Sequence, residues 1–164
     1  MSKPLRINQK GKVASIRRGL KNFSSKKVII GFLKGKADVP RNTDDDEDLT
    51  TNLDVALANH FGTRKKGKVH IPARPFVDVS IREKSRYFGK KFSDATKKIL
   101  KGNLNVDDFL DKMGEQGITV MQDYAINLRT PENAASTIAQ KKSSNPLINN
   151  GDMVRAVSYE IRDE

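Results

Sequence analysis

Residues 105–128 read NVDDFLDKMGEQGITVMQDYAINL, and their spacing decides the fold class. Val106, Phe109, Leu110, Met113, Gly117, Val120, Met121, Tyr124 and Leu128 recur three or four apart, so one stripe of a helix is apolar along its whole length. Met113 and Met121 belong to that stripe as core residues. Asn105 is a natural cap, and Asp107 and Asp108 put negative charge beside the unpaired N–H groups of the first turn. Upstream, Val77, Ile81, Phe88, Phe92, Ala95 and Ile99 predict a second amphipathic helix over 76–101, which Gly102-Asn103 should end through a left-handed residue. Two such helices joined by a short turn should form an antiparallel hairpin. The outer face of the first is basic and that of the second mildly acidic, which suits pairing or subunit contact.

Sheet signals flank this helical region. Lys27-Val28-Ile29-Ile30-Gly31-Phe32-Leu33 is β-branched enough for a strand, and the end of the chain alternates from Arg155, with Val154, Ala156 and Ser158 on one face and Val157, Tyr159 and Ile161 on the other. The simplest arrangement pairs the two. Before the first strand, Val13, Ile16, Leu20 and Phe23 mark one face of a short helix ringed by Lys12, Arg17, Arg18 and Lys21. A further short helix is expected over 52–60, with Leu53, Ala56, Leu57 and His60 on one face and Gly62 as its stop. The expected architecture is therefore a single α+β domain over 1–164, a small antiparallel sheet packed against a long antiparallel helical hairpin. A flexible arm is expected at 1–10 and a mobile acidic loop or extended hairpin tip at 36–51.

Between the short helix and the hairpin lie two unlike segments. Gly62 to His70 reads as a solvated basic turn containing Lys65 and Lys66, without the glycine spacing or preceding buried strand of a phosphate-binding loop. Ile71-Pro72-Ala73-Arg74-Pro75-Phe76 is a rigid elbow, because each proline fixes its own φ and pushes the residue before it to extended geometry. It serves to aim the long helix, with Arg74 pairing locally with an acid, or it makes a subunit contact, and the two readings are compatible. Near the C-terminus, Pro131 should open a short, weakly apolar helix over 131–142, and Asn145 to Asp152 is a polar, turn-rich link.

Composition narrows function. The 164 residues are 36% hydrophobic and 31% charged, with mean hydropathy −0.63, and no apolar run approaches the roughly 20 residues of a membrane span. The start of the chain lacks a continuous apolar signal segment, so export is not expected. No cysteine is present, which removes disulfides, thiolate metal sites and cysteine nucleophiles. His60, on the apolar face of its helix, is read as a half-buried packing residue and His70 as an exposed loop residue; neither has companions at metal-ligand spacing. No cofactor or metal is expected. The net charge of +11 is divided into blocks: eleven bases and no acid in residues 1–37, seven acids against one base in 38–63, thirteen bases against three acids in 64–101, and ten acids against six bases in 102–164. Alternating blocks suit copies of one protein docking on each other as well as they suit a polyanion.

Three segments in order are familiar: His60-Phe61-Gly62-Thr63, the elbow Ile71 to Phe76 leading into a long helix, and Asn145-Pro146-Leu147-Ile148 to Gly151-Asp152-Met153 before a terminal strand. Over roughly residues 11–162 the chain resembles the tail-completion, or virion-morphogenesis, proteins of tailed bacteriophages, in which small neck proteins join head to tail. The resemblance implies a non-enzymatic structural subunit, commonly six copies in a ring around the DNA channel, found in the virion at the neck or head-proximal tail end and in the host cytoplasm during assembly. Its partners would be further copies of itself, other neck and tail proteins and non-specific double-stranded DNA, with no membrane. Arg74, Pro72, Pro75, Phe76, Arg17, Arg18, Lys65 and Lys66 are the candidates for facing a neighbouring subunit or DNA. In the contact role, Arg74→Glu should leave the melting temperature nearly intact while blocking incorporation into particles.

Two other classes compete with this reading. A stand-alone DNA-binding protein fits the pI near 9.9 but lacks a DNA-reading motif and aromatic residues interleaved with the bases. A nuclease would have to hold magnesium with Asp44, Asp45, Asp46 and Asp48, carboxylates on a segment with no apolar anchoring to preorganise them. An enzyme is not expected.

Overall fold

The computed structural model describes residues 9–40 and 50–164; the expected arm at 1–10 and the Asp44 to Asp48 run lie wholly or largely outside them. Among the described residues seven helices and two two-stranded antiparallel sheets follow in the order α1 (Gln9–Ser24), β1 (Lys26–Gly31), α2 (Asn52–Phe61), β2 (Thr63–Lys65), β3 (Lys68–Ile71), α3 (Phe76–Glu83), α4 (Ser85–Leu100), α5 (Val106–Asn127), α6 (Ala135–Lys141), α7 (Asp152–Arg155) and β4 (Ser158–Asp163). The α+β class is as expected.

The spine is α5. The Asn105 side chain accepts from the N–H groups of Asp107 and Asp108 at 3.0 and 3.4 Å, so the cap read from the sequence forms. At one end of the helix Val106 and Leu110 are buried with Ile99, against Leu20, Phe23, Phe92 and Ile161. At the other, Met121 and Ala125 are buried with Ala56, Phe76, Leu147 and Met153. Met113 and Met121, 4% and 0% exposed, are core residues as expected. Between the two clusters Gly114 and Gly117 let the β1–β4 sheet lie directly on the helix: a Cβ at Gly114 would sit 2.4 Å from Cγ of Tyr159, and one at Gly117 would sit 2.2 Å from Cδ1 of Ile30. Ile30 pairs with Tyr159 and Val28 with Ile161, which puts all four on the face turned to α5. The terminal strand pairs with the first as expected, but the chain just before it, Asp152–Arg155, is helical.

The first arm of the expected hairpin is broken. Lys84, with φ −96° and ψ 8°, separates α3 from α4. Ile81 and Phe88 are seven residues apart with only polar residues at 84 and 85, so no apolar contact holds a continuous helix to the core there. The two halves serve different clusters: Val77 and Ile81 of α3 pack with Met121 and Leu147, whereas Phe92 of α4 meets Phe23 of α1 and Phe109 of α5, ring centroids 5.7 and 5.3 Å apart. The end of α4 is as read: Gly102, at φ +74°, donates to the Ile99 carbonyl and Asn103 to that of Lys98, the paired bonds of a glycine-terminated helix.

Three smaller corrections follow from the same packing. The basic turn at 62–70 is a β-hairpin, β2–β3, closed by Lys66 and Gly67 at φ +49° and +76°, the left-handed pair a tight two-residue loop requires. Of the expected acidic loop, the described start is docked: Ala37 is fully buried and accepts from Leu53 N–H at 2.8 Å, and Pro40 bridges to Thr51. Thr51 and Asp54 then form a reciprocal capping box for α2. Finally, α6 opens at Ala135 rather than Pro131, because the carbonyls of Pro131 and Glu132 are taken by a side chain from the elbow.

Candidate functional site

That side chain is Arg74. It is 1% exposed, among the largest fully buried side chains of the described residues, and its fork meets only neutral acceptors. Nε donates to the Pro131 carbonyl at 2.8 Å and one terminal nitrogen to Oδ1 of Asn59 at 3.0 Å. The other terminal nitrogen donates to the Glu132 carbonyl and to Oδ1 of Asn133 at 3.1 and 3.0 Å. Burial without an acid pulls its pKa below that of a free guanidinium, although the group stays protonated in any ordinary buffer. The guanidinium geometry explains the choice of residue, since only a planar fork reaches four carbonyl oxygens at once.

The elbow is equally fixed at its backbone. Arg74 N–H donates to the Asn59 carbonyl at 2.7 Å, tying the elbow to α2. Gly62, at φ +73°, makes the approach possible: a Cβ there would lie 2.7 Å from the Ile71 carbonyl oxygen and 2.8 Å from the Ala73 nitrogen. Phe76, 1% exposed, stands edge-on to Phe32 and His60 with centroids 6.0 Å away in each case. His60 itself is 9% exposed, wedged between Phe61 and Phe76 with Nε2 3.5 Å from Asp78, more deeply packed than expected, while His70 is exposed.

The third segment closes on the same place. Asn133 Nδ2 donates to the Pro146 carbonyl at 3.4 Å, and Lys141 Nζ donates to the carbonyls of Asn145 and Pro146, both at 3.3 Å. Burial, and then the positive charge of Arg74, lower the pKa of Lys141. Oδ1 of Asn145 accepts from Leu147 and Ile148 N–H at 2.8 and 2.9 Å while its amide donates to Ile126 at the end of α5 at 2.7 Å, which seats Leu147 in the core beside Phe76.

The candidate contact residues thus separate into two groups. Arg74 and Phe76 are interior, so they do not face a neighbour; they hold the elbow in place, and Pro72 is half-buried beside them. Pro75, Arg17, Arg18, Lys65 and Lys66 are exposed and remain available. Sequence reasoning missed Asn59, Asn133 and Lys141, whose only signal was polar residues without an evident partner. Among the described residues no group of three or more His, Asp or Glu side chains could hold a metal ion, and no helix is long and apolar enough to cross a membrane. Compared with protein families, curated proteins and solved structures, the chain matches none.

Proposed function

We propose that the chain is a structural subunit of a bacteriophage neck, completing the tail or joining head and tail as a ring, six copies being the favoured number, around the DNA channel. One observation carries the reading beyond the resemblance itself. Two of the segments that resemble the tail-completion proteins stand eight residues apart and the third follows about seventy residues on. Asn59 beside the first, Arg74 in the second, and Asn133, which donates to Pro146 of the third, link them into one hydrogen-bonded nucleus next to Phe76. Residues selected independently for unrelated surface tasks have no reason to converge; residues that define one inherited body do. Arg74 and Phe76 at the centre of the nucleus are buried and its bonds tie three elements together, which suits a protein that works by shape, while exposed bases on α1 and the β2–β3 hairpin remain free to meet neighbours.

The reading is tested in particles made from the genome that encodes this chain. Mass spectrometry of gradient-purified virions should find the protein at a small fixed copy number, and gold-labelled antibody should decorate the junction of head and tail. Its absence from purified particles that are otherwise complete would remove the proposal.

A further inference from the structure

Helix α4 carries two stripes on opposite sides. Phe88, Phe92, Ala95 and Ile99 face the core, and the last two are buried. On the other side Arg86, Lys90, Lys97 and Lys101 recur at separations of four, seven and four. At 100° per residue they fall within about 60° of each other, and at 1.5 Å per residue they span about 22 Å. All four are exposed, and the one acid on this helix, Asp94, is occupied by Lys97 at 3.0 Å. Helix α1 lies alongside, close enough that a Cβ at Gly19 would be 3.1 Å from Cγ2 of Ile99, and adds the exposed Arg17, Arg18 and Lys21 with no acid of its own. A single solvated base needs no partner; a row this long with one acid in it holds like charges close together at a cost unless counterions or a polyanion neutralise it.

We propose that the outward stripe of α4 binds the phosphate backbone of double-stranded DNA, without reading sequence. Duplex DNA presents one negative charge per about 1.7 Å of axis, so a row of four cations over this length is attracted to it whatever the base sequence, with side chains long enough to reach the strands on either side of a groove. The acidic row on α5 of a second copy, Asp107, Asp108, Asp111 and Glu115, is the poorer match. Asp107 is already held by Lys26 at 2.7 Å, Asp111 accepts from the Tyr159 hydroxyl at 3.1 Å, and the chain as a whole carries a surplus of eleven positive charges. The inference deepens the neck reading by assigning a surface, outside the residues named for it from the sequence, to the DNA contact that the resemblance implies; the binding test does not depend on where in a particle the chain sits.

The test is fluorescence anisotropy of a labelled duplex of mixed sequence titrated with the whole chain at several salt concentrations. Three proteins are compared: wild type, the quadruple variant R86Q/K90Q/K97Q/K101Q, and the hairpin variant R64Q/K65Q/K66Q, each checked for wild-type circular dichroism and urea midpoint. Counterion release predicts that the logarithm of affinity falls with the logarithm of salt, and that the quadruple variant loses about 2.7 to 3.6 from that slope, roughly 0.9 per phosphate contact, the upper figure requiring Lys97 to leave Asp94. The hairpin variant should keep most of the wild-type slope. An unchanged slope in the folded quadruple variant, or loss of binding in the hairpin variant alone, would overturn the proposal. So would a wild type that does not bind duplex but self-associates in a manner the quadruple variant abolishes, since the stripe would then be a contact between copies.

Discussion

Removing Arg74 should unfold the elbow, and the cost can be worked from its bonds. Arg74→Ala strips partners from four oxygens: the backbone carbonyls of Pro131 and Glu132 and the side-chain carbonyls of Asn59 and Asn133. The two asparagine amides can rotate toward water, but the two backbone carbonyls are fixed by the chain. Pro131 and Glu132 are exposed residues, so water can replace the fork at their carbonyls. At a net of about 0.5–1.5 kcal/mol per hydrogen bond, the four bonds lost set a loss of about 2–6 kcal/mol, and water entering the vacated space brings this to about 3 kcal/mol. Arg74→Lys keeps the charge but offers one nitrogen in place of a fork, so it should fall between wild type and Ala. Arg74→Glu would set a carboxylate against four carbonyl oxygens and should not fold, unlike the nearly intact melting temperature a surface contact residue would give. Equilibrium urea unfolding reads these values from the midpoint and slope. A loss below about 1 kcal/mol for Arg74→Ala, or a wild-type melting temperature for Arg74→Glu, would refute the reasoning.

The tight seat of the sheet on α5 makes Gly114→Ala destabilising by about 1–3 kcal/mol, because the obstructing atoms are the inner ring carbons of Tyr159. Gly117→Ala should cost less, since the closest obstruction is the end of the Ile30 side chain, and Gly89→Ala, into open space on α4, should stabilise by about 0.5–1 kcal/mol; thermal melts rank the three. Gly62→Ala meets both a positive φ and backbone atoms at 2.7 and 2.8 Å, so it should be poorly folded by circular dichroism at room temperature. The pH profile has a sign on each side. Hydrogen bonds from Thr51 hold the Asp54 carboxyl below its usual 3.8, and a hydrogen bond from Lys26 does the same for Asp107, so the stability these carboxylates give is present above that value and is lost as pH falls through their lowered pKa values. The Asp107 hydrogen bond raises Lys26 above its usual 10.5, so its contribution is present below that value and is lost as pH rises through the raised pKa. Melting temperature against pH should fall less steeply in acid for Asp54→Asn and less steeply in alkali for Lys26→Met.

Where local chemistry decided the structure, the sequence was a sufficient guide. The Asn105 cap, the Gly102 terminator and the period of Val106 to Leu128 each depend on residues within one or two turns, and each formed as read. The pairing of β1 with β4 was legible because both strands alternate and few other apolar segments were left to pair. The break at Lys84 was present in the sequence as a seven-residue gap in the stripe, a signal that an uninterrupted period count passes over. For Arg74 the reading of an internally paired side chain in a stiff elbow holds, but with neutral oxygens in place of the expected acid, and the contact alternative fails for a different reason. A lone arginine between prolines has the composition of a surface elbow, and nothing near it in sequence announces that its acceptors come from residues 131–133, almost sixty positions away. The same holds for the start of α6, which depends on carbonyls that Arg74 withdraws from the helix. The hairpin at 63–71 was hidden because both its faces are exposed, leaving no apolar alternation to detect.

The measurement that bears most directly on the neck reading is the solution mass of the whole chain by light scattering behind a sizing column, at low and at high salt. The account predicts a discrete closed multiple near six subunits, because a ring subunit must present two complementary surfaces that close on themselves. A monomer at both salts and at every concentration up to that of an assembling particle would contradict it.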